Sequence, residues 1–458
     1  MQVNIGELLQ TPKKLHFIGV GGSGMYPLVQ ILLPQGHSIS GSDVNEGAIL
    51  DYERALGVNV IMGQRAENVH GADLVVYSAA IGATNPERLE AERLGIPIVE
   101  RSSMLGYVAS LYRRPLCIAG THGKTTATGM ATQILQMAGF DPAAVIGGKL
   151  PYIGGYGKAG TGDGIVVEAC EYHNTFLELV PDTAVLLNVD NDHLEFFGSM
   201  ENLKAAFRKF CALATGAVLY NGDDANSREV VAGLPTPLIS FGLSAGCDIR
   251  AVNLYEHRPA FWAFTIEENG RRLEEIKLGA PGRHNIYNAL AAYAGARRLG
   301  ASHGQCAEGL GAFKGTGRRF EVLGEVNGVT IADDYAHHPT ELAATLTTAK
   351  EMGFKQVWAV FQPYTYSRTQ LLLEDFARVL PIADRVVMTA IMGGRETAEN
   401  YRVTTADLAA KIPGSVWFET QQEVARYVLQ NARPGDLALT LGCGDIYKCA
   451  HIMLEQKG

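Results

Sequence analysis

No stretch of the chain approaches the roughly 20 apolar residues that a membrane-crossing helix requires, so no membrane insertion is expected. The seven cysteines include no Cys-x-x-Cys pair and are odd in number, which argues against a disulfide framework or a zinc site and for a reducing compartment. Lysine- and arginine-rich runs are absent and the net charge is −9. Nothing therefore points to nucleic acid as a partner, and an anionic ligand must be held by local loops. Residues 1–14 lack the apolar centre of a signal peptide, so a cytoplasmic protein is expected. Internal repeats, low-complexity tracts and any Ser-His-Asp or Cys-His nucleophile pattern are also missing. With 47% apolar and 19% charged residues over 458 positions, the chain is long enough for about three globular domains.

What is present centres on Gly120-Thr121-His122-Gly123-Lys124-Thr125-Thr126. An apolar run, Pro115 to Ile118, precedes it, and Met130, Ile134, Leu135 and Met137 follow at helical spacing. A strand, a glycine turn and a helix in that order direct backbone N–H groups at one spot beside the positive end of the helix. Lys124 adds a mobile cation, and Thr125 or Thr126 offers a hydroxyl to Mg²⁺. Ile118 stands where the longer phosphate-loop pattern has its first glycine, so the loop is a shortened variant.

Upstream, the strand Leu15–Val20 runs into Gly19-x-Gly21-x-x-Gly24, with Met25, Leu28, Val29 and Leu32 behind it. The spacing is that of a dinucleotide or pyrophosphate turn, and a second strand, Ser38–Ser42, ends at Asp43, where that fingerprint expects an acid for a ribose hydroxyl. Strands are also expected over 72–78 and 96–99, and a linker over 105–114. Downstream of the phosphate loop, 146–164 is glycine-rich and expected to be irregular. The strand 164–167 then delivers Glu168, and 183–189 delivers Asp190, Asp192 and His193. In parallel sheets ligands sit beyond the carboxyl ends of strands, which would set the loop, Glu168 and His193 on one edge. A β excursion is expected over 248–278, and then a helix opened by His284 and Asn285, for which spacing alone favours plain capping. Beyond Gly315–Phe320 a third α/β unit places Asp333 to Pro339, Arg368 and Gly442 to Asp445 at strand ends. That rim suits a zwitterionic substrate, with an arginine on its carboxylate.

Taken together, Gly19 to Met25, the 120–126 loop, Glu168-Ala169-Cys170-Glu171-Tyr172, Asn188 to His193, Gly282 to Asn285, Arg318-Arg319-Phe320, Asp333 to Glu341 and Phe361-Gln362-Pro363 resemble the Mur ligase family, and within it the alanine-adding branch. The resemblance covers nearly the whole chain. It implies three domains: a Rossmann-like UDP-binding domain (1–113), a central P-loop ATPase-type α/β domain (114–317) and a C-terminal Rossmann-like α/β ligase domain (318–458). UDP-N-acetylmuramate would lie on Gly19, Gly21, Gly22, Ser23, Gly24, Met25, Asp43 and Ser78, which demotes the dinucleotide reading. ATP would lie on residues 120–126 with His284, Asn285 and Arg319. Thr125, Glu168 and His193 would hold Mg²⁺, and Tyr335, His337 and Arg368 would meet L-alanine. Lys124, Glu168, His193 and Arg368 would be catalytic. Cys170 and Tyr172 depart from a common form of the family, which carries Asp and Ser there.

The implied reaction is attack of a lactyl carboxylate on the γ-phosphate of ATP, giving an acyl phosphate that the amine of L-alanine then opens. His193 is a candidate base only where it is not bound to metal. Closure of the domains is expected, because an acyl phosphate exposed to water hydrolyses. A monomer or weak homodimer is expected. The alternatives are a sibling ligase that adds a preformed peptide, a catalytically silent nucleotide-binding protein and an NAD-dependent oxidoreductase.

Overall fold

The computed structural model describes residues 3–394 and 396–456. Among them the strands form three sheets of five, ten and six. The five-stranded sheet is parallel, in the order Asn59–Met62, Ser38–Asp43, Lys14–Ile18, Leu74–Tyr77, Ile98–Glu100. Its central strand is buried from Leu15 to Ile18, as a sheet covered on both faces requires. The next strand in sequence lies on one side of it and the third-following on the other, so a crevice opens at its carboxyl end. The glycine turn stands there.

The same logic places the phosphate loop. Strand Arg114–Ala119 lies between Gly164–Glu168 and Thr183–Leu186, with Ile118 opposite Glu168 and Ala119 opposite Leu186, all parallel. In the six-stranded sheet, Leu437–Leu441 lies between Val329–Asp334 and Val357–Phe361, and Leu441 is level with both Asp334 and Phe361. The loops after these three strands therefore share one edge. By their contacts the residues divide into two compact units. One comprises the chain to Val252 with Thr265–Ile276 and Tyr287–Phe313; the other comprises Asn253–Phe264, Lys277–Ile286 and the chain from Lys314.

The fold is α/β as expected, and the β excursion appears as Ile249–Arg258, Phe261–Glu268 and Arg271–Lys277. Three local expectations need correction. The glycine-rich stretch after Ile146 is not irregular, because strands Ala143–Leu150 and Gly155–Lys158 occupy it. Ala143 to Val145 pair with the Glu168 strand, and that pairing buries them. The stretch 105–114 is not a linker: helix Arg101–Ser110 buries Met104, Leu105, Val108 and Ala109. The strand Asn59–Met62 was not anticipated; it is an edge strand of only four residues with no apolar alternation.

Candidate functional site

The phosphate loop opens the 14-residue helix Lys124–Met137 with no side-chain cap, so its first N–H groups are left for a ligand. Gly123 has φ +87°, and a Cβ there would lie 2.2 Å from Asn288 Oδ1, so only glycine makes this turn. Asn188 clamps the loop: its Oδ1 accepts from His122 N at 2.8 Å and its Nδ2 donates to His122 O at 3.0 Å. The His122 ring stands 2.9 Å from an Asp190 carboxylate oxygen.

Lys124 curls back over the loop. Its Nζ donates to Thr121 O at 3.0 Å, to Gly120 O, and to Glu171 at 3.0 Å. Burial works most strongly against its charge, but Glu171, Cys170 and Glu168 together outweigh it and hold its pKa above the usual lysine range. Thr125 Oγ1 donates to Glu168 Oε1 at 2.9 Å, and Gly147 N donates to the other oxygen at 2.6 Å. Thr125 and Glu168 therefore form a pair of hard oxygen donors beside the lysine. Adjacent ligands of an octahedral Mg²⁺ lie about 3 Å apart, so the pair fits two cis positions.

His193 begins the short helix Leu194–Phe197 in the left-handed region, φ +57°. Its ring lies 4.7 Å from that of Tyr172, which also meets His173 at 4.3 Å. His173 and Asn174 are left-handed too, with φ +54° and +58°. Such residues cost roughly 1–3 kcal/mol each and gather at functional sites.

At the first glycine turn, Gly19 N and Val20 N donate to Ser42 O, and Gly21 N donates to Asp43 Oδ2 at 3.0 Å. Asp43 thus braces the turn. Ser78 lies beside Gly19, Ser23 is exposed and Gly22 caps the turn by accepting from Met25 N. The Met25 side chain is buried in the core. Arg101 lies across Gly24, 3.3 Å from where a Cβ would be. It was missed because a single arginine after a strand carries no spacing signal.

Helix Ala48–Ala55 turns Leu50 and Glu53 inward. Glu53 is fully buried, and neither carboxyl oxygen has a hydrogen-bond partner among the described residues. Burial, then the Asp43 charge, push its carboxyl up to about 8, against the pull of Arg54. The unfolded chain, with an ordinary glutamate, gives up its proton at lower pH. Stability therefore falls as pH rises from 4.5 to about 8, by at most about 1.4 kcal/mol per pH unit. Denaturant titrations of wild type and Glu53→Gln are expected to diverge across that window, with the variant the more stable at its upper end.

In the second unit, Arg318 Nε donates to buried Asp333 at 2.8 Å, and its other nitrogens donate to Gly444 O at 3.1 Å and Gly442 O at 2.7 Å. Two cations lie near the Tyr335 ring, Arg318 at 5.0 Å and Arg319 at 5.2 Å; burial pushes its hydroxyl up to about 12. His337 N donates to Glu341 at 3.2 Å, and its ring stands 5.5 Å from Tyr335. Burial raises the Asp334 carboxyl to about 6, against Arg319 and the N–H groups of Ala336 and Phe320. Burial lifts the Cys443 thiol to about 12, while the charge of Arg368 pulls it back. His284 is exposed; atoms crowding its ring and then the Arg319 cation lower its pKa below the usual histidine value. The Asn285 side chain donates to Pro281 O. Arg318, Phe320 and Thr365 are all left-handed.

Residues 14–113 match the Mur ligase family catalytic domain, 118–296 the Mur ligase middle domain and 318–444 the Mur ligase glutamate ligase domain. The chain belongs to the Mur ligase family. A UDP-N-acetylmuramate–L-alanine ligase of Caldanaerobacter subterraneus subsp. tengcongensis is 41% identical over 98% of both chains, and one of Alkaliphilus metalliredigens is 39% identical over 97% of this chain and 98% of its own. Among solved structures, the UDP-N-acetylmuramate–alanine ligase of Thermotoga maritima superposes with a TM-score of 0.82 at 27% identity, covering 97% of this chain and 99% of that one. This Mur ligase thus shares the three-domain α/β fold. Among its described residues no helix is long and apolar enough to cross a membrane.

Proposed function

We propose that this Mur ligase joins L-alanine to UDP-N-acetylmuramate at the expense of ATP, in cytoplasmic peptidoglycan precursor synthesis. The observation that carries the reading is the Lys124, Thr125 and Glu168 constellation at the strand ends, in a chain 41% identical to a ligase of that name. Residues 1–113 would take the UDP-sugar, with the pyrophosphate on the 19–25 turn beside Arg101. Residues 114–317 would take ATP, and 318–458 the amino acid; His284, Asn285 and Arg319 would face the adenine. A monomer or weak homodimer is the assembly we expect.

The lactyl carboxylate attacks the γ-phosphorus of ATP and the bond to ADP breaks, leaving an acyl phosphate. Lys124 offsets the charge on the moving phosphoryl group. Thr125 and Glu168 would hold one Mg²⁺ and His193 a second; bound there, the metal would neutralise phosphate charge. The neutral amine of alanine then attacks the acyl carbon, and phosphate leaves from the tetrahedral adduct. Arg368 would pair with the alanine carboxylate in a forked contact, with Tyr335 and His337 beside it. A base must accept the ammonium proton, and His193 serves only where it is not bound to metal.

Mass spectrometry of the product tests the reading. UDP-N-acetylmuramate, Mg-ATP and L-alanine should yield a species heavier by one alanyl residue. A product formed only when a tripeptide replaces alanine would move the protein to the peptide-adding activity. Loss of a metal ligand is expected to show in the metal requirement: Glu168→Gln should raise the Mg²⁺ concentration for half-maximal rate by about tenfold or more.

A further inference from the structure

Lys124 carries three N–H donors, and in this structure the protein itself uses them: Gly120 O, Thr121 O and Glu171. Glu171 is not a rim charge. It is 1% exposed, and both of its oxygens stand within 3.0 Å of the ammonium. It arrives there because the strand Gly164–Glu168 ends at the phosphate loop and the chain then turns into Tyr172–Glu178. One short segment thus presents two carboxylates with different partners, Glu168 to Thr125 and Glu171 to Lys124.

We infer that Glu171 is a latch that holds Lys124 back over the loop, so that a polyphosphate must compete with a buried carboxylate to claim the lysine. Glu171 is a positioning residue: it acts through Lys124 and touches no reacting atom. The latch keeps the ammonium paired, because an unpaired buried cation would be costly. It also sets a threshold. A ligand with several phosphate charges can displace the carboxylate, and one without phosphate cannot. The inference rests on the reading that the loop binds ATP.

Equilibrium titration of the full-length protein with Mg-β,γ-imido-ATP and with adenosine, across wild type, Glu171→Gln and Glu171→Asp, separates the possibilities. Glu171→Gln should bind β,γ-imido-ATP about five- to tenfold more tightly, the size of one lost competing contact. Adenosine affinity should not change. Glu171→Asp, whose shorter arm loosens the pair, should fall between, and it carries the test where the Gln variant does not fold. In turnover, KM for ATP should fall by a larger factor than kcat. In a Lys124→Ala background the Glu171→Gln change should leave nucleotide affinity where it was. Unchanged or weaker binding in folded Glu171→Gln overturns the latch. So does an equal tightening in the Lys124→Ala background, which would be plain repulsion between Glu171 and the phosphates. Wild-type protein that binds neither ligand overturns the ATP reading, and the latch with it.

Discussion

Lys124→Ala is expected to lower substrate-dependent phosphate release by about 10²–10³-fold, the usual loss when one fixed positive or hydrogen-bonding group is removed from a transition state that gathers negative charge. The argument is local. Gly123 has a left-handed φ that starts the helix at Lys124, so the side chain leaves the loop from the point where the helix N–H groups converge. Asn188 fixes the loop on both sides of His122, which leaves the lysine few ways to miss the phosphates. Removing the cation also leaves buried Glu171 without its partner, so the comparison is made on the protein that remains folded. Phosphate release measured beside thermal unfolding checks both halves. An active Lys124→Ala enzyme would remove the loop from the chemistry.

Arg318→Ala should cost the second unit about 3–5 kcal/mol, the range for removing one partner of a buried pair. Asp333 is 1% exposed, and besides Arg318 it is met by the Thr440 hydroxyl. Without the guanidinium, its charge loses its counter-ion, and Gly442 O and Gly444 O lose a donor. The Tyr335 ring loses one of its two cations, so KM for L-alanine should rise in the protein that still folds. Arg318→Lys should recover little, since an ammonium cannot span a carboxylate and two carbonyls at once. Denaturant unfolding of the full chain, followed by tryptophan fluorescence (Trp358 and Trp417 lie in the six-stranded sheet), reads the loss; an unshifted transition contradicts it.

The parts legible in the sequence were those with a short-range cause. The glycine turn at 19–24, the loop at 120–126 and strand-end Glu168 follow from spacing and apolar runs, and the structure sets each at a carboxyl strand end. Less legible were residues whose role depends on distant partners. Asn188 reaches His122 and Arg318 reaches Gly442 and Gly444 across long separations in sequence, and no periodicity records such contacts. Asp43 stands where an acid was expected, and its carboxylate braces Gly21. The 146–164 stretch misled because glycine normally weakens strands, whereas here close approach calls for it: a Cβ on Gly157 would lie 2.6 Å from Pro27. Glu53 reads as an ordinary surface residue of a charged helix, and only the packing of that helix shows it to be buried.

The central claim is that one site couples ATP cleavage to joining a UDP-sugar acid and an amino acid. Phosphate release from Mg-ATP, measured with UDP-N-acetylmuramate and L-alanine together and with each alone, tests it most directly. The account predicts steady release only when both are present, one phosphate per alanyl product. Release of the same rate with either omitted, or none with both present, would contradict it.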